Sequence, residues 1–103
     1  MAMPAGGIDF AAINGAALRR AVDLLRRWLP DGRLEGHEYV ARNPRRADRR
    51  LGSFKVNIAT GRWSDFATGD RGGDLVSLGA YLAEIGQAEA ARRLAAMLGL
   101  ADG

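Results

Sequence analysis

The segment Ser53-Phe54-Lys55-Val56-Asn57-Ile58 limits the fold of this chain more than any other. Apolar and polar residues alternate, so Phe54, Val56 and Ile58 share one face and Ser53, Lys55 and Asn57 the other, the period of a half-buried strand. Ala59-Thr60-Gly61 follows as a short loop with a glycine available for positive φ, and Arg62-Trp63-Ser64-Asp65-Phe66 returns as its partner. Glu38 to Arg42, with Tyr39 and Val40, reads as a third strand. A hairpin alone is marginal in water, so this sheet requires helices on one face.

The flanking sequence supplies them. Asp9 is a candidate N-cap, and Phe10, Ile13, Ala17, Ala21, Leu24 and Trp28 recur at helical spacing, which predicts one amphipathic helix from Asp9 to Trp28. Pro30-Asp31-Gly32 stops it. Thr68 to Gly73 reads as a loop, with Asp74 as the N-cap of a helix carrying Leu75, Leu78, Leu82 and Ile85. Gly86 should break that helix. Ala88 to Leu98 forms the last one, ending in a Gly99-Leu100 cap. The predicted fold is α+β: a small three-stranded antiparallel sheet packed with one N-terminal and two C-terminal helices. It is a single domain over residues 9–100, with 1–8 and 101–103 frayed.

Composition narrows the chemistry. With 0 cysteines there are no disulfides, cysteine-held metals or thiol nucleophiles, and 1 histidine excludes a histidine-rich metal site. No cofactor is expected. His37 has no nucleophile partner, so no catalytic residue is assigned and the chain does not read as an enzyme. No apolar run approaches the ~18 residues of a membrane span, and the start lacks the pattern of a signal peptide, so a soluble cytoplasmic protein without membrane contact is expected.

The 103 residues include 15 basic and 12 acidic ones, a net charge of +3. Lys55 is the only lysine. Arginine, alanine and glycine share GC-rich codons, so the arginine total reflects coding composition at least as much as function. The placement says more. Arg42-Asn43-Pro44-Arg45-Arg46-Ala47-Asp48-Arg49-Arg50 sets five arginines against one aspartate, a local charge above that of the whole chain. Guanidinium forks suit phosphate oxygens. Arg42, Arg45, Arg46, Arg49 and Arg50 from this loop, with Lys55 and Arg62 from the hairpin, are the candidate nucleic-acid contacts, and Trp63 and Tyr39 offer flat surfaces for bases. Alternation puts Trp63 and Asp65 on one face and Arg62, Ser64 and Phe66 on the other. Phe66 is expected in the core, with Trp63 beside the charges; the alternative, Trp63 as core, follows if a bulge shifts the phase. Gly69-Asp70-Arg71-Gly72-Gly73-Asp74 lacks the lysine and hydroxyl of a triphosphate-binding loop. Asp70 and Asp74 are too few for a metal site, and a tight turn followed by an N-cap is the simpler reading.

Several motifs resemble the N-terminal zinc-binding domain of bacterial-type DNA primases, between about Tyr39 and Leu82. Asn43-Pro44-Arg45-Arg46 stands where that family has Cys-Pro-x-His. Gly52-Ser53-Phe54-Lys55-Val56 stands at its Pro-Ser-Phe-x-Val strand, and Phe66-Ala67-Thr68-Gly69 at its Cys-x-x-Cys. Gly72-Gly73-Asp74 matches directly, while all four ligand positions are replaced. The whole pattern is more similar to a zinc-less form at the N-terminus of plasmid- and phage-type primase–helicase proteins. That likeness is carried by Trp28-Leu29-Pro30-x-Gly32-Arg33, Asn43-Pro44-x-Arg46, Gly61-Arg62-Trp63-x-Asp65-Phe66-Ala67-Thr68-Gly69 and Gly72-Gly73-Asp74. The resemblance implies a zinc-ribbon-like sheet without its metal and recognition of single-stranded template DNA for a primase or helicase region. Phe66 and the N-terminal helix would then supply the core that zinc supplies elsewhere. The alternative is a docking or structural module of a larger protein, using the two C-terminal helices.

Overall fold

The computed structural model describes residues 7–45 and 53–100. Two helices come first, α1 (Phe10–Arg19) and α2 (Ala21–Trp28). The strands follow: β1 (Arg33–Glu35), β2 (Glu38–Ala41), β3 (Phe54–Asn57), β4 (Trp63–Asp65) and β5 (Arg71–Gly72). Two more helices close the domain, α3 (Leu75–Ala83) and α4 (Gln87–Met97). The strands form one antiparallel sheet in the order β1-β2-β3-β4-β5. The class is α+β. The element count is corrected: among the described residues there are five strands instead of three and four helices instead of three. Of the ends expected to fray, residues 1–6 and 101–103 lie outside the described residues, and Ile8 packs against the core.

The two added strands are short edges with no readable alternation. All three residues of β1 are exposed, and it pairs with β2 because Gly36, at φ +62°, turns the chain tightly. β5 lies in the glycine-rich stretch read as a loop. It can approach β4 because Gly72 has no side chain: a Cβ there would run into the Trp63 indole and the Ser77 hydroxyl.

The long N-terminal helix is broken at Arg20 (φ −120°, ψ 27°), whose N–H donates back to the Ala17 carbonyl at 2.9 Å. The break lets the two halves follow different surfaces. α1 packs on α3 and α4 through Ile13 and Ala17, whereas α2 buries Ala21, Leu24 and Leu25. The chain after α2 is held to the sheet by the Tyr39 hydroxyl, which donates to the Leu29 carbonyl at 2.7 Å.

Three helix ends follow the sequence. The Asp9 carboxylate accepts the Ala12 N–H at 3.0 Å. Asp74 and Ser77 form a reciprocal capping box, with the Ser77 N–H donating to Asp74 at 2.8 Å. Gly99 takes φ +72° while the Leu100 N–H reaches back to the Ala95 carbonyl. α3, however, ends at Ala83 with Glu84 in the left-handed region (φ 56°), and Gly86 serves as the N-cap of α4.

One core joins the inward face of the sheet to all four helices: Tyr39, Ala41, Phe54, Val56 and Trp63 cluster with Leu75, Val76 and Leu78 of α3 and with Ala17, Leu25 and Leu94 of the other helices. Two aromatic assignments are reversed. Trp63 is 5% exposed and Phe66 70% exposed. The alternation along β4 is as expected, but its inward face is the Trp63–Asp65 face. The Trp63 ring fits between Phe54 (5.9 Å between centroids) and Tyr81 (4.7 Å), and its Nε1–H donates to Ser77 Oγ at 3.0 Å. Phe66 falls one residue past the strand, in a turn. Tyr39, at 1% exposed, is core as well, so neither predicted stacking surface faces solvent.

Candidate nucleic-acid interface

The face of the sheet turned away from α3 carries the cations. The pairing register aligns Arg33, Val40, Lys55, Ser64 and Arg71 in one line across all five strands. Side chains on directly paired residues share a face, so Arg33, Lys55 and Arg71 project together. A second line runs Glu35, Glu38, Asn57 and on to Arg62, whose carbonyl accepts the Asn57 N–H at 2.7 Å. On the other side of the central line, the Phe66 N–H donates to the Ser53 carbonyl at 2.9 Å, and alternation along β2 puts Arg42 on the same face. Lys55, Arg62 and Arg71 line a shallow groove of about 640 Å³ together with Asn57, Ser64 and the carboxylate of Glu38.

Charge on this face is uneven. Arg33 is held by Glu35 at 2.6 Å, and Lys55 sits 4.0 Å from Glu38. Arg42, Arg62 and Arg71 are exposed and form no ion pair among the described residues. Among the described residues the carboxylates of this face are Glu35 and Glu38, the latter at the groove itself, and the cations without an ion pair are Arg42, Arg62 and Arg71. Phe66 lies on the same face, with the Lys55 ammonium over its ring at 5.6 Å from the centre.

Of the predicted contacts, the structure therefore brings Arg42, Lys55 and Arg62 to one surface. Arg46, Arg49 and Arg50 lie outside the described residues. Arg45 is engaged elsewhere: its guanidinium stacks over Tyr81 at 4.5 Å and pairs with Glu84 at 3.1 Å. Trp63 is a buried structural residue. Arg71 and Phe66 also lie on this face and are not among the contacts expected from the sequence. The shared parity of Arg62, Ser64 and Phe66 was the available signal for Phe66. Arg71 had none, because β5 is visible only through its pairing.

Below this face lies a buried polar cluster. Asn43 (1% exposed) donates from Nδ2 to Asp65 Oδ2 at 2.8 Å and to the Tyr81 hydroxyl oxygen at 2.7 Å, and its Oδ1 accepts the Arg45 N–H at 2.9 Å. Asp65, fully buried, also accepts the Ala67 N–H at 2.9 Å, and the Tyr81 hydroxyl donates to Asp70 at 2.7 Å. Burial raises the Tyr81 pKa above its ordinary value; the Asn43 bond opposes the shift, and Asp70 adds to it. Asp70 and Asp74 are thus occupied as a hydrogen-bond acceptor and a helix cap. Among the described residues no three His, Cys, Asp or Glu side chains gather where a metal could sit, and no helix is long and apolar enough to cross a membrane. An apolar groove of about 360 Å³ lies on the helical side, lined by Trp28, Val76, Leu82, Ile85, Leu94 and Met97 among others.

No family model matches the chain. No curated protein matches it either.

Proposed function

We propose that this domain is a non-catalytic nucleic-acid-binding module that uses the open face of its sheet. In this reading it holds single-stranded DNA as the template-recognition part of a primase–helicase replication protein. The observation that carries the reading is the convergence of Arg42, Lys55, Arg62 and Arg71 on one exposed face, three of them without an ion pair among the described residues. Guanidinium groups presented in this way donate in pairs to phosphate oxygens. Single-stranded template and replication context are supported by the primase-like motifs. In that frame the scaffold is a zinc-ribbon-like sheet whose metal has been replaced. The Asn43–Asp65 bond ties together the segments where the resembled family carries its ligands.

The test is titration of a labelled single-stranded oligonucleotide at two salt concentrations. Affinity should fall with salt by ~0.7 log units per log salt for each phosphate contact. The Arg62→Glu/Arg71→Glu variant should weaken binding and flatten the slope by about 1.4, two contacts' worth. Absence of binding at low salt, or binding indifferent to these charges, would overturn the reading.

The apolar groove beside α3 and α4 favours a second reading, a docking module that holds a partner domain against its C-terminal helices. Amide shifts confined to Leu75–Met97 on adding such a partner, with the sheet face silent to nucleic acid, would select it.

A further inference from the structure

We infer that Phe66 is the base-stacking residue of the open sheet face, and that it makes the site selective for unpaired bases over duplex. This rests on the proposed nucleic-acid reading and assigns the group that discriminates within it. Four observations lead there. Phe66 is the most exposed large apolar residue among those described, at 70%. It shares its face with Lys55, whose ammonium lies over its ring, and follows Ser64 by two positions, so it is on the outer side of the sheet instead of the core side. Its outward position is built in: buried Asp65 accepts the Ala67 N–H from its side chain and the Gly69 N–H from its carbonyl, which fixes the turn directly after Phe66. The inward space is already filled by Trp63, Phe54 and Tyr81. The ring is kept in water at a fixed place with the Lys55 ammonium over one face, and its other face is the platform offered to a flat partner.

Selectivity follows from what each group can recognise. The arginines contact phosphates, which single strands and duplexes both present. A ring gains only from an open base face, and in a duplex those faces are covered by neighbouring bases. Stacking is also sequence-tolerant, because every base has such a face.

The experiment compares a labelled oligothymidylate with a long, fully paired two-strand duplex, measuring affinity by fluorescence anisotropy for the wild type, Phe66→Leu and Phe66→Trp. Phe66→Leu should weaken oligothymidylate binding roughly ten-fold to a hundred-fold and leave the duplex unchanged. Phe66→Trp should retain single-strand binding. Circular dichroism melts check that the exposed substitutions leave the fold intact. Phe66→Leu binding oligothymidylate as tightly as wild type, or losing both ligands equally, overturns the inference. In those cases wild-type binding that still depends on salt and on Arg62 and Arg71 leaves the broader reading standing. Wild type that binds neither probe overturns both. Phe66 amide shifts caused only by a protein partner overturn the inference in favour of docking.

Discussion

Asn43 shows how one side chain can hold two distant segments together. Its amide bridges the Asp65 carboxylate and the Tyr81 hydroxyl with almost no exposure, in surroundings where a lost donor is not replaced by water. Asn43→Ala is therefore expected to lower unfolding free energy by about 1.5–3 kcal/mol, the range for a hydrogen bond to a charged group. Urea denaturation followed by tryptophan fluorescence checks this; a loss below about 0.5 kcal/mol would show that the bridge is dispensable. In the sequence Asn43 was legible only as part of a motif. A polar residue destined for burial looks like any loop asparagine until its partners, 22 and 38 positions away, are known. Trp63 and Phe66 illustrate the same limit. Their opposite orientation was readable from β4, but which of them enters the core was not.

At the level of elements, the helix ends were the most readable part of the chain. Asp9, Asp74 and Gly99 act through neighbours within a few residues, so local sequence specifies them. The end of α3 departs from this. Glu84 adopts φ 56°, a conformation that strains a side chain bearing Cβ and suits glycine. Glu84→Gly should stabilise the domain by about 0.5–1 kcal/mol. The exposed Arg45–Glu84 pair it removes contributes little. A thermal melt that falls instead of rising would show the Arg45 contact to be worth more than the strain. The break at Arg20 and the edge strands β1 and β5 were not legible. No proline or glycine marks the break, and two or three residues are too few to show a period.

For the whole molecule, burial of two phenols sets a limit on alkaline stability. Tyr39 and Tyr81 both have pKa values raised above the ordinary 10.0, with burial the first cause in each. Below pH 10 the phenols are neutral in the folded and unfolded chains alike, and the stability they contribute is complete. As pH rises past 10 the unfolded chain ionises them first, so unfolding becomes progressively easier. Urea midpoints measured below and above pH 10 should fall across that interval, and less steeply for Tyr39→Phe; a flat profile would contradict the assignment. At this scale the division of information is clear. The sequence by itself determined a half-buried hairpin, helices with defined caps, the α+β class and an arginine-rich chain without cysteine chemistry, because periodicity and capping depend on near neighbours. Only the tertiary structure decided that Trp63 is core and Phe66 surface, and that Arg42, Lys55, Arg62 and Arg71 share one face while Arg45 stacks on Tyr81. The reason is physical. A strand's alternation gives two faces without saying which is inside, and that sign is set by α3 packing on one side and by a register that brings residues from five strands into line.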